Sequence, residues 1–192
     1  MDNKKNVEHW ADQFMNEFSK ESDRASIIVA ATILDSALES IIKRLLVPVP
    51  SPHDNLLDNA SNAPISDFST RIDLAHRLGL ISAQFCRDLH LLRKMRNDVA
   101  HNIERSSFDN PSIRSRAAEI VCSSGICKRM PDELKKVAPK GIRGEFQLTV
   151  SAMIWHLWSY ADEVSSIKPA NLEWLLYSSF EESAKKEGDP TK

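Results

Sequence analysis

Apolar residues return every three or four positions along almost the whole chain, the pattern of helices that turn one face inward. Val7, Trp10, Phe14 and Phe18 mark such a face over residues 4–20. Ser22 or Asp23 then offers an N-cap for a long helix running to about Leu46. Its inward stripe is Ile27, Ala31, Leu34, Leu38, Ile41 or Ile42, and Leu45. The run Val47-Pro48-Val49-Pro50-Ser51-Pro52 ends it, because proline lacks a backbone donor and restricts the residue before it. The polar, proline-punctuated stretch 47–65 is expected to be an extended loop, functional or mobile.

Ser66 is placed to cap a short helix over 67–78, with Gly79 at the left-handed position beyond its end. Ser82 is placed to cap the next, from 83 to about 103, with Phe85, Leu89, Leu92, Met95 and Val99 on one side. A break is expected at Ser106-Ser107-Phe108. Asn110-Pro111 then reads as a cap followed by proline in the first turn of a helix that closes near Ser123, before Gly125. Residues 126–144 read as irregular and basic, with room for a short helix from Pro131. The last strong pattern runs from about Glu145 to Ile167, on Phe146, Val150, Ile154, Leu157, Ala161 and Val164, and Pro169 is expected to end it. Residues 171–184 can form one more helix before a polar tail.

No alternating strand pattern and no Asn-Gly hairpin turn interrupts this series, so the expected fold is all-α, an antiparallel helical bundle. The 192 residues suit one bundle domain over 1–168, followed by a C-terminal helix and tail over 169–192. Five glycines are few for a protein built on β-turns or phosphate-cradling loops. The longest apolar stretch, Ile27 to Leu34, is too short to span a bilayer, and the charged N-terminus lacks a signal-peptide core. A cytoplasmic protein with no membrane partner is expected. Cys86, Cys122 and Cys127 form no C-x-x-C pair and read as reduced thiols, with no metal or other cofactor expected.

Charge adds an asymmetry. The chain carries a net −2, yet residues 87–143 hold 13 Lys and Arg against 7 Asp and Glu, which leaves 12 against 20 elsewhere. A basic middle in an acidic protein is either a footprint for a polyanion or one half of an internal charge balance. Phosphate-binding Gly-rich loops, the Gly-x-Ser-x-Gly elbow and His-Glu-x-x-His are all missing, so nucleotide hydrolysis, dinucleotide redox chemistry and zinc proteolysis lose their usual support.

What remains is Leu92-Arg93-Lys94-Met95-Arg96-Asn97-Asp98-Val99-Ala100-His101. RNA carries its own nucleophile, the 2′-hydroxyl, so a metal-independent cleavage needs little beyond a proton shuttle and a cation. His101 can move the proton and Arg96 can hold two phosphate oxygens against the transition-state charge. Asn97 can orient the phosphate or the imidazole ring, and Asp98 can raise the imidazole pKa. Arg93, Lys94, Lys128, Arg129, Lys135 and Lys136 are the candidate RNA-holding cations. Five residues on an ideal helix leave Arg96 and His101 roughly 140° apart, so a site composed from two copies in a homodimer is part of this reading. Structural roles stand beside it: Arg96 as a buried ion pair with Asp23 or Glu39, and His101 as a cap on free carbonyls. Asp23-Arg24 suits a cap and salt bridge, and Trp155 and Trp158 suit core or interface packing.

Arg96-Asn97-Asp98-Val99-Ala100-His101 resembles the R-x4-H motif of the HEPN superfamily. That resemblance implies a small, commonly dimeric helical bundle, often a metal-independent endoribonuclease of toxin–antitoxin or antiphage systems, with an antitoxin as partner. More of the chain resembles the mannitol operon repressor (MtlR-like) family. The matching features are Ser22-Asp23-Arg24, Phe68-Ser69-Thr70-Arg71-Ile72, Leu78-Gly79-Leu80-Ile81 and Arg143-Gly144-Glu145-Phe146, together covering roughly residues 20–165. This second resemblance implies the alternative function, a non-enzymatic transcriptional repressor or regulator acting through protein partners.

Overall fold

A computed structural model describes residues 18, 20–58, 63–102, 106–129, 140–170 and 172. The elements are α1 (Asp23–Leu45), α2 (Phe68–Arg77), α3 (Ala83–His101), α4 (Pro111–Ser124), α5 (Ile126–Arg129) and α6 (Ile142–Ala161). No strand occurs among the described residues. α1, α3, α4 and α6 form the bundle, α2 lies against α1 and α3, and α5 against α4 and α6.

The caps follow side-chain chemistry. Ser22 Oγ accepts from the Ala25 amide and Ser82 Oγ from that of Phe85. Asn110 caps α4, with Pro111 in its first turn. Gly79 (φ 74°) and Gly125 (φ 61°) take the left-handed positions after α2 and α4. The cap of α2 differs from expectation by one residue: it is Asp67, whose carboxylate takes both the amide and the hydroxyl of Thr70. A carboxylate accepts two such bonds and also favours the positive end of the helix, so it outcompetes the neighbouring Ser66 hydroxyl.

Ile27, Leu34, Leu38, Ile41, Ile42, Leu89, Leu92, Met95 and Val99 meet Phe146, Val150 and Ile154 in one core. α1 by itself is long and apolar enough to cross a membrane, contrary to the expectation from its broken apolar run, but half of its apolar window is packed inside this bundle. The stretch 47–65 is less open than its polarity suggests. Asp54 Oδ1 accepts from the amides of Leu56 and Leu57, and that turn drives Leu57 into the core, where none of it is exposed.

α6 departs most from the sequence pattern. It starts at Ile142, after Gly141 at φ 84°, and ends at Ala161, well before Pro169. Its end is set by tertiary hydrogen bonds. Arg44 Nη1 donates to the Ala161 carbonyl at 2.8 Å, while the chain beyond α6 crosses to α1, where the Ile167 amide donates to the Leu45 carbonyl and Ser166 Oγ to that of Leu46. Arg44 of α1 thus covers the last carbonyl of α6, and the segment that leaves α6 covers the carbonyls at the end of α1. α6 is also buried beyond its expected stripe, because Gln147, Leu148, Thr149, Ser151 and Met153 are covered too. The expected helices over 4–20, from Pro131 and over 171–184 lie outside the described residues, apart from Phe18, Lys20 and Leu172.

Candidate functional site

The candidate residues lie on the last three turns of α3, whose inner face is Leu92, Met95 and Val99. That burial fixes the rotation of the helix and turns Lys94, Arg96 and His101 outward, all three exposed, with Arg93, Asn97 and Asp98 half-buried at the edges. Arg96 Nη1 donates to Asn97 Oδ1 at 3.1 Å. The helix closes at Asn102, whose amide donates to the Asp98 carbonyl.

Arg96 is therefore not the buried ion pair, and neither suggested partner is available to it. Asp23 accepts from Arg143 at 3.1 Å, from Ser107 Oγ and from the Phe108 amide, tying the start of α1 to the turn before α4 and to α6. Glu39 belongs to Arg71, which is 2% exposed and bridges Asp35 (2.8 Å) and Glu39 (2.9 Å). Burial pushes the Asp35 carboxyl above its ordinary value, opposed chiefly by the Arg71 hydrogen bond and charge and, more weakly, by the field of Arg96. Arg71 thus fills the structural role that the sequence allowed for Arg96. Its position in Phe68-Ser69-Thr70-Arg71-Ile72, directly before a core isoleucine and two turns from Leu78, was the available signal.

Asp98 is engaged by α4. Its carboxylate pairs with Arg116 of α4, and it lines a cleft of about 200 Å3 with Asn102, Asn110, Ser112 and Ile113. The Arg24 guanidinium approaches the same end of α3, donating to the Ala100 carbonyl at 3.3 Å, so a cation already occupies part of the helix terminus. Arg93 faces the α2 cap: Asp67 is held below the usual carboxylate value mainly by its Thr70 bonds, with a smaller part from Arg93.

α3 thus carries Arg93, Lys94, Arg96, Asn97 and His101 on its last three turns, with Arg96 and His101 on different sides of the helix. Lys128 and Arg129 stand elsewhere, exposed on α5, which packs on α4 and α6. Lys135 and Lys136 lie outside the described residues. On α6, Trp158 is 38% exposed, and Trp155 meets the ring of His156 edge-on at 5.0 Å.

The architecture and the sequence agree on a relationship. The family model described as the mannitol repressor (MtlR) matches residues 11–143. The chain belongs to the mannitol repressor family. Among solved structures, that of the MtlR–HPr complex from Escherichia coli is similar, at a TM-score of 0.55 and 19% identity, covering 78% of this chain and 98% of that one. At that identity the likeness is one of fold. No curated protein sequence matches the chain. Both matches fall on the repressor side of the resemblance seen in the sequence. The segments that carried it are structural here: Asp23 and Arg143 pair across the bundle, Arg71 bridges two carboxylates, and Gly79 turns α2 into α3.

Proposed function

We propose that this member of the mannitol repressor family is a non-enzymatic regulator that works in the cytoplasm by binding a protein partner, and that the partner is HPr. Family membership over residues 11–143, joined to a fold shared with an MtlR captured with HPr, carries this reading. The contact is assigned to the exposed part of α3, where Lys94 and Arg96 offer positive charge from the two flanks of a packed helix and His101 stands exposed at its end. α3 is packed against α1, α2 and α4, so its exposed part is a preformed surface on which a partner can dock. Titration calorimetry with HPr from the same cell tests it. Saturable binding with a dissociation constant on the order of micromolar or tighter is expected, weakened by Arg96→Glu. Failure to bind at concentrations well above that range overturns it.

One observation favours a second reading. Arg96 and His101 are both open to solvent, so an RNA strand can reach them. α3 stays helical through His101, which keeps the two side chains on different sides of one helix, so this reading requires a homodimer that brings two copies of α3 together. Metal-independent cleavage of RNA in EDTA, lost in Arg96→Ala and in His101→Ala, would establish it. An antitoxin-like protein would then be the partner. Intact RNA with the wild-type protein removes it.

A further inference from the structure

Away from the outward face of α3, on its opposite end, three side chains of metal-ligating type converge. Cys86 and His90 are four residues apart on α3 and so project from the same side one turn apart. Asp73 faces them from α2. The three potential ligand atoms lie within 4.8 Å of one another, and His90 Nε2 is 2.9 Å from Asp73 Oδ1.

The scaffold beneath them is rigid. Ile72 and Ala75 flank Asp73 on α2, Leu89 precedes His90 on α3, and all three are completely buried. The connection from α2 to α3 is short, turns at Gly79 and is pinned where His76 Nδ1 meets the Ile81 carbonyl at 3.2 Å. The side chains can still adjust: the Asp73 carboxylate is 64% exposed. Neighbouring ligand atoms on a tetrahedral zinc stand roughly 3.3–3.7 Å apart, given bonds of about 2.0–2.3 Å, so small rotations of Asp73 and Cys86 close the geometry.

We propose that Asp73, Cys86 and His90 form a zinc site that clips α2 to α3, with water in the fourth position. The donor set selects the ion. Magnesium and calcium take oxygen ligands, whereas thiolate with imidazole and one carboxylate suits zinc, and cobalt as its spectroscopic substitute. Binding displaces the Cys86 thiol proton to solvent, together with any proton shared between His90 and Asp73, and leaves three anionic or neutral donors on the ion. The thiol needs such a partner to ionise, since burial and, secondarily, the Asp73 carboxylate hold its pKa above the ordinary value.

The test is titration of the metal-free protein with Co2+, followed by absorbance. One equivalent should produce the near-ultraviolet thiolate-to-cobalt band and visible bands of tetrahedral intensity, and added Zn2+ should abolish both. Cys86→Ser and His90→Gln should lose the thiolate band, and Asp73→Asn should weaken binding, while the double variant Cys122→Ser/Cys127→Ser should keep it. Asp73 is exposed, so its variant reads out the site without burdening the fold. Zn2+ should raise the melting temperature of the wild type and leave that of His90→Gln unchanged. Absence of the band, its survival in Cys86→Ser, or equal zinc stabilisation of the wild type and His90→Gln overturns the proposal.

Discussion

Arg71 of α2 reaches Asp35 of α1 at 2.8 Å from a position where only 3% of its side chain meets solvent. Glu39, one turn further along α1, takes the other arm of the guanidinium at 2.9 Å. A fork held by two carboxylates fixes how α2 lies on α1 far more narrowly than apolar contact would.

Arg71→Ala should therefore be severely destabilising, by about 3–5 kcal/mol, because Asp35 loses its guanidinium in a partly desolvated place and Glu39 keeps only Lys43. Arg71→Lys should recover only part of that, since an ammonium cannot span both acids. Urea unfolding followed by circular dichroism measures both; a loss below about 1 kcal/mol for the alanine variant would deny the clamp.

Arg96→Ala and His101→Ala should leave stability within about 0.5 kcal/mol of the wild type, since both side chains are exposed. HPr binding, or RNA cleavage under the second reading, should fall without a change in melting temperature. A joint loss of stability and function in either variant would return these residues to a structural role.

Asp88 gives a pH dependence. Burial raises its carboxyl pKa, against hydrogen bonds from Ser123 Oγ and Gln84 Nε2 that lower it. The folded state then holds this proton more tightly than the unfolded chain does. Between the ordinary value of 3.8 and the raised one, folding takes up a proton, so the contribution of Asp88 to stability declines as pH rises through that window. Comparing unfolding free energies across that window in wild type and Asp88→Asn checks the sign: the variant should have the flatter dependence.

Leu57→Ala should cost about 2–5 kcal/mol despite its place in a proline-rich loop, because its side chain is wholly inside the core. Leu56→Ala, at 47% exposure one residue earlier, should cost far less. Equal effects would mean that the loop does not plug the bundle.

Gly79→Ala should destabilise by about 1 kcal/mol through backbone conformation alone, since φ is 74° and an added methyl would touch nothing. Thermal melting checks this, and an unchanged midpoint would refute it.

The helices were legible in the sequence where a local signal sufficed. Ser22, Ser82, Asn110-Pro111, Gly79 and Gly125 each act through their own backbone or nearest turn, and each stands where its chemistry implied. The end of α6 was not legible, because the donors that close it, Arg44 above all, come from the far side of the sequence. The burial of Leu57 was hidden for a related reason: a single apolar side chain in a polar loop has no period. At the candidate site, the exposure of Arg96 was not legible, because its place beside the stripe through Leu92, Met95 and Val99 also allowed a buried ion pair, and what excludes that is the capture of Asp23 by Arg143 and of Glu39 by Arg71. The pairing of Asp98 with Arg116 and of Asp23 with Arg143 depends on how four helices meet, which spacing along one of them cannot reveal.

The exchange of hydrogen bonds between the end of α1 and the chain leaving α6 makes their fraying a shared event. Opening the last turn of α1 withdraws Arg44 from α6 and releases the segment that follows α6, so the amides of Leu46 and Ile167 should exchange with deuterium at a common rate, as one cooperative unit spliced from distant parts of the chain.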